Sequence, residues 1–154
     1  MLHAGLRLLL IKYMEIIEAE PYRENVITLL AAVELPVIDL PQPLDNFFVA
    51  LETDKVVGAI GLEIYGSYGL LRSLVVEVDW RNRGVAAELI AKVECVATEK
   101  RLKGIYLLTE NTADYFNNKG FEHVARMDVP EEVKASSQYS NICPESAIAM
   151  AKLI

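Results

Sequence analysis

The sequence predicts an α/β (α+β) fold: one domain with a mixed, mostly antiparallel central sheet flanked by helices. Three observations carry this. Short apolar segments bounded by turn residues fill positions 47–76, as strands joined by hairpins do. A long amphipathic helix over 83–102 then leads to another apolar run at 105–109, so strand, turn, helix and strand form a crossover unit. A chain of 154 residues with 53% hydrophobic content can also bury a sizeable core in a single domain.

Met1–Tyr13 precede a second methionine and a plausible first strand, Met14–Ala19. Residues 1–13 are expected to be a leader, either an expression tail or the product of an early start codon, and residues 14–154 the domain. Val26, Ile27, Leu29, Leu30 and Val33 recur at helical spacing after Pro21, which a first turn accepts. Prolines 36, 41 and 43 make the next segment a loop with apolar side chains, which either walls an acceptor site or caps the core.

Phe47–Leu51 and Val56–Tyr65 are strands around the turn Thr53-Asp54-Lys55, and Gly66–Gly69 lead into a third strand, Leu70–Val76. The following helix carries the stripe Val85, Leu89, Val93 and Val96, with Glu88, Lys92, Glu99 and Lys100 outside it. Cys95 is expected in the core or at its boundary. Gly104 opens the buried strand Ile105–Thr109. Asn111 is a fair N-cap and Gly120 a fair C′ glycine for the short helix between them, with Phe121 opening the next strand. A short helical piece and a last strand complete the chain.

The net charge of −7 argues against nonspecific binding to nucleic acid or an anionic membrane. No apolar run reaches the roughly 18 residues that span a bilayer. Cys95 and Cys143 form no C-x-x-C motif and meet no cluster of histidines, so no metal site or disulfide framework is signalled, and Cys143 is expected to be structural. These features fit a reduced, cytoplasmic setting.

The chemistry concentrates where the third strand meets the long helix. The first N–H groups of a helix lack intrahelical acceptors and sit at the positive end of its dipole, so an anion fits there. Arg81 and Arg83 add charge, while Gly84 and Ala86 let a ligand approach the backbone. A Rossmann site would need G-x-G-x-x-G near the start of a βαβ unit, and this turn has one glycine.

Arg81-Asn82-Arg83-Gly84-Val85-Ala86 reads R-x-x-G-x-A and resembles the acetyl-CoA signature of the GNAT N-acetyltransferases, whose preceding strand also ends in L-x-V. A second motif follows in the right order. Asn111, Ala113, Tyr115-Phe116 and Gly120-Phe121 resemble the family's asparagine and A-x-x-F-Y-x-x-x-G-F helix. The resemblance implies the GNAT fold and acetyl-CoA as cosubstrate, bound by Leu74, Val75, Val76, Arg81, Asn82, Arg83, Gly84, Val85, Ala86, Asn111 and Phe116. It also implies direct transfer, with backbone at Val76, in a strand splayed from its neighbour, bonding the pantetheine and polarising the carbonyl. The family tyrosine that protonates the departing thiolate aligns with Phe116. Tyr115, one place earlier, points about 100° away on a helix. Phe116 is expected on the pantetheine, and Tyr115 in the core or as a partial catalytic substitute.

Two charged residues interrupt the apolar strands. Glu63 and Arg72 either form a salt bridge across neighbouring strands or serve the acceptor. In the second case Glu63 takes a proton from the amine through water and Arg72, which strand alternation puts on the face of Leu74 and Val76, grips an anionic group. Gly61–Gly66, Leu70–Val76 and Ser137–Ala147 resemble the arsenic-resistance N-acetyltransferases, which are similar to N-acetylglutamate-synthase-like and phosphinothricin-acetylating enzymes. That resemblance implies a small-molecule amine acceptor, an amino acid or analogue such as arsinothricin, met by Arg72 with Ser73. A homodimer stays open. The rival readings are a non-catalytic acetyl-CoA sensor or regulatory module, and a nucleotide-binding α/β protein.

Overall fold

The computed structural model describes residues 14–142 and 146–154, apart from the side chains of Asn141 and Ile142. The leader assigned to residues 1–13 and the structural role expected of Cys143 lie outside the described residues. Among the described residues, seven strands form one sheet in the order β1-β2-β3-β4-β5-β7-β6: β1 (Met14–Glu18), β2 (Phe47–Glu52), β3 (Lys55–Tyr65), β4 (Tyr68–Val76), β5 (Gly104–Thr109), β6 (Glu122–His123) and β7 (Ile148–Leu153). The helices are α1 (Arg23–Ala32), α2 (Val85–Glu99), α3 (Ala113–Asn118) and α4 (Glu131–Lys134). Single 3₁₀ turns occupy Glu20–Tyr22, Val78–Trp80 and Arg126–Asp128, and a π-helical turn occupies Gln138–Ile142.

The chain divides into two compact units. The first combines the residues up to Gly61 with Ser73–Val93. Here β1 pairs antiparallel with β2, and β2 with β3, placing Phe47 opposite Gly61. The pairing has a physical reason, because a Cβ on Gly61 would stand 2.3 Å from the Phe47 ring, which is itself fully buried. Val26 and Leu30 of α1 pack with Phe47, Val49, Val56, Ala59 and Val75. Gly58 serves α2 similarly: its missing Cβ would meet Val85 and Leu89 at 3.1 Å.

The proline-rich loop belongs to this core. Leu35, Val37 and Leu40 pack against it and Leu44 is buried within it. Leu44 N–H donates to Glu20 Oε2 at 2.6 Å, and both Nη atoms of Arg23 donate to the Pro41 carbonyl at 2.8–2.9 Å. Of the two readings of this loop, capping the core is the one these contacts express.

The second unit combines Leu62–Arg72 with Glu94–Ile154. β4 and β5 pair in parallel from Tyr68–Gly104 to Leu70–Tyr106, where the ladder stops although both strands run on. β5 continues antiparallel to β7 as far as Thr109–Ile148. Leu70, Tyr106, Val129, Val133, Ala149 and Ala151 form the core, joined by Tyr65, Tyr68 and Tyr139. Cys95 departs from expectation: it is exposed, its Sγ 3.5 Å from Glu99 Oε1, because the buried stripe of α2 runs through Val93, Val96 and Ala97.

Helix ends also correct the sequence reading. α2 starts at Val85, two residues later than its pattern suggests, because the Val78–Trp80 turn and a second tight turn intervene. α3 is capped by Thr112 rather than Asn111, since the Phe116 amide bonds the Thr112 carbonyl. At the other end Gly120, at φ +93°, is the C′ residue of a Schellman motif. Phe121 N–H donates to Phe116 O, Gly120 N–H donates to Asn117 O, and the two Phe rings meet edge-on at 5.6 Å. Phe121 is thus a buried cap residue, and β6 begins one place later.

Candidate active site

In the first unit, β4 ends at Val76 and the chain folds through Val78–Trp80 into an exposed turn. Asn82 and Gly84 both have positive φ, +62° and +82°, and these two reversals aim the turn at the start of α2. The helix opens with a bond from Glu88 N–H to Gly84 O at 3.1 Å. The amides of Val85, Ala86 and Ala87 therefore have no intrahelical acceptor and present three donors with the helix dipole behind them. A Cβ on Gly84 would find nothing within 4 Å, so the approach to these donors is open.

The two arginines are oriented before any ligand arrives. Arg81 Nε donates to the Val76 carbonyl at 3.1 Å, leaving its two Nη groups for other acceptors. The Arg83 guanidinium lies 4.8 Å from the centre of the Trp80 ring, a cation–π contact that restricts the side chain. Open amides, a dipole and two restrained cations suit a pyrophosphate, and acetyl-CoA carries one. Leu74 and Val76 at the end of β4 are half-buried, and Val75 points into the core.

In the second unit, Arg72 Nη1 lies 3.6 Å from Glu63 Oε2, with side chains 1% and 14% exposed. Tyr65, two residues along the strand from Glu63, donates its hydroxyl to Glu63 Oε1 at 3.1 Å. The salt bridge weighed from the sequence is present, and it leaves Arg72 inside the protein. Ser73 has φ +60°, so the two-residue alternation that would put Arg72 on the face of Leu74 and Val76 does not run through it. The burial pattern agrees, since Arg72 and Val75 are buried while Leu74 and Val76 are only half-buried.

At the end of β5, the Thr109 and Thr112 hydroxyls bond each other and the Thr112 amide donates to Thr109 Oγ1 at 3.1 Å. Asn111 stands exposed between them. In α3 the two neighbouring aromatic residues have different surroundings, and of the two places expected for Tyr115 the core is not the one it takes. Phe116 is buried against Phe121, whereas Tyr115 is 36% exposed, its ring edge-on to Phe116 and 5.5 Å from Lys119 Nζ. The reason is the 100° step per residue, because the C-terminal Schellman contact claims Phe116 for the core. Partial burial pushes the Tyr115 phenol above its usual pKa.

Three contributors escaped the sequence reading. Tyr65 could have been found from its i+2 spacing to Glu63 on one strand face. Thr109 has no such signal, because its partner Thr112, three residues on, lies past the end of β5, where the strand period of two no longer applies. Tyr139, whose hydroxyl donates to Leu107 O at 3.3 Å and whose ring carries the Arg126 guanidinium at 5.8 Å, depends on a π-helical turn that no periodicity announces.

The crossover sheet with its R-x-x-G-x-A turn at a helix start defines the class of domain, and the comparisons name the family. The acetyltransferase (GNAT) domain family matches residues 43–123, more than half of the chain, and the chain belongs to that family. An uncharacterised N-acetyltransferase, CT2212, of Chlorobaculum tepidum is 28% identical over 89 residues, 57% of each chain. The amino-acid acetyltransferase of Ectopseudomonas mendocina is 41% identical over 54 residues, 35% of this chain and 12% of its own. The chain thus spans little more than half the length of the first curated relative and about an eighth of the second. N-acetylglutamate synthase from Neisseria gonorrhoeae shares the fold over 92% of this chain and about a third of its own. Its TM-score is 0.79 in complex with coenzyme A and L-arginine, at 17% identity, and 0.75 with coenzyme A and N-acetyl-glutamate, at 15%. Among the described residues no helix is long and apolar enough to cross a membrane, and no three His, Cys, Asp or Glu side chains gather as a metal site.

Proposed function

We propose that residues 14–154 form one cytoplasmic N-acetyltransferase domain that moves the acetyl group of acetyl-CoA to the amine of a small amino acid or analogue, arsinothricin or phosphinothricin among them. The observation that carries this is the Arg81–Ala86 turn, with its open amides, left-handed Gly84 and two restrained arginines. Bound acetyl-CoA supplies an activated thioester, whose acetyl carbon forms a bond to nitrogen as the carbon–sulfur bond breaks.

The chain's residues divide the work. Val85, Ala86 and Ala87 amides with Arg81 and Arg83 take the pyrophosphate, and Asn82 and Gly84 shape their approach. Leu74, Val75 and Val76 form the strand end along which the pantetheine lies, with Val76 backbone directed at the thioester oxygen. The early stop of the β4–β5 ladder supports this role, since backbone groups beyond Leu70 seek other partners. Asn111 contributes a further contact, and Phe116 supports the pantetheine side from within the core.

Arg72, held by Glu63, and Ser73 receive the acceptor. Glu63 takes the amine proton through water, and the exposed Tyr115 hydroxyl, a neutral phenol, donates one to the leaving thiolate. The acceptor class draws support from the amino-acid acetyltransferase among the relatives. A thiol-release screen over amino acids, phosphinothricin and arsinothricin at fixed acetyl-CoA tests the proposal. Amine-dependent release with an amino acid or analogue is expected.

One observation favours a second reading, a coenzyme A-binding sensor without catalysis. The residue at the family tyrosine position is Phe116, and it is buried. Coenzyme A binding without release across the whole panel selects the sensor.

A further inference from the structure

The stretch between β4 and the phosphate turn contains a carboxylate that the pyrophosphate reading leaves unused. Glu77 N–H donates to Val57 O at 2.8 Å and Glu77 O accepts from Trp80 N–H at 2.8 Å, so its backbone is the joint between strand and turn. Its side chain faces a cleft of about 340 Å³ lined by Glu24, Asn25, Thr28 and Leu29 of α1 and by Lys55 at the tip of the β2–β3 hairpin. Lys55 Nζ lies 3.0 Å from Glu77 Oε2, a buried oxygen with no hydrogen-bond donor in good geometry among the described residues. Lys55 is thus the cation that answers this oxygen. Its surroundings are otherwise acidic, with Glu52 opposite it in the ladder and Asp54 beside it.

Glu77 is four residues from Arg81, and the Arg81 guanidinium is bonded to the carbonyl of Val76, the residue next to Glu77. A 3₁₀ turn advances only about 2 Å per residue, so the backbones of Glu77 and Arg81 lie within about one screening length of each other. An unneutralised carboxylate there repels the phosphates that the turn is built to attract, in a chain whose net charge is already −7.

We propose that Lys55 is a charge-compensating residue for coenzyme A binding, masking Glu77 beside the phosphate turn. This rests on the acetyl-CoA reading of that turn. The test is the dissociation constant for coenzyme A, by titration calorimetry at low ionic strength, on wild type, Lys55→Met, Lys55→Arg, Glu77→Gln and the Lys55→Met/Glu77→Gln pair, each checked for folding by circular dichroism. Removing one exposed partner of an ion pair predicts binding about 3- to 5-fold weaker for Lys55→Met. Lys55→Arg is expected to bind as wild type, Glu77→Gln no more weakly, and the pair within about twofold of wild type. A Lys55→Met protein that binds like wild type overturns the proposal. So does a double variant as weak as Lys55→Met, because a merely structural loss is not restored by neutralising Glu77. A wild-type protein that binds no coenzyme A overturns the acetyl-CoA reading itself.

Discussion

Arg72 and Glu63 form a nearly buried ion pair, Nη1 to Oε2 at 3.6 Å, and Tyr65 closes the far side of the carboxylate with a 3.1 Å hydrogen bond. A guanidinium at 1% exposure is costly to desolvate and is tolerated because this partner compensates it. Arg72→Ala strands Glu63 and is expected to lower stability by roughly 3 kcal/mol in chemical denaturation. Replacing both, Arg72→Met with Glu63→Leu, should recover most of that loss. If Arg72 grips the acceptor, Arg72→Ala also raises the acceptor KM strongly while that for acetyl-CoA barely moves. An unchanged acceptor KM would assign the pair to structure alone.

Tyr115 offers a separable test of the acid. Burial raises its pKa, so the phenol stays protonated further into the alkaline range than an ordinary tyrosine, and any activity it supports declines only there as the proton is lost. Tyr115→Phe is expected to reduce kcat about 10- to 100-fold and to abolish that alkaline decline, with little change in either KM. A pH–rate profile of the variant that superimposes on wild type would leave the thiolate to solvent.

Gly61 has no room for a side chain. Its Cβ would lie 2.3 Å from the Phe47 ring, and Phe47 is 1% exposed. Gly61→Ala should destabilise by about 1–3 kcal/mol through overpacking, as read from the urea midpoint. Adding Phe47→Leu should make the alanine better tolerated. A Gly61→Ala protein as stable as wild type would show that the ring can shift.

Two helix caps carry a side chain where glycine is the unstrained choice. Glu34 at φ +59° and Arg101 at φ +57° are C′ residues of α1 and α2, each followed by a Schellman bond, Leu35 N–H to Leu30 O and Leu102 N–H to Ala97 O, both within 3.0 Å. Relief of left-handed strain, offset by the greater freedom of glycine when unfolded, should make Glu34→Gly and Arg101→Gly each stabilising by about 0.5–1 kcal/mol. Thermal melts check this. A lowered Tm in both would mean that their side chains hold the caps in another way.

The sequence by itself determined the order of strands and helices, the R-x-x-G-x-A turn and the family, because periodicity, turn chemistry and short motifs are local properties. Apolar alternation located β2, β3 and β4 to within two residues, and the α2 stripe residues Val85, Leu89, Val93 and Val96 are all buried, although Cys95 is not. The tertiary structure decided what lies across the chain from what. It paired Arg72 with Glu63 on another strand and Lys55 with Glu77 on another element, and it packed the proline-rich loop on the core. It also buried Phe116 and left Tyr115 outside the core, which was one of the two places open to it. The physical reason is the same in each case. Burial and ion pairing depend on contacts between residues distant in sequence, and a single left-handed residue such as Ser73 resets the alternation from which faces are read.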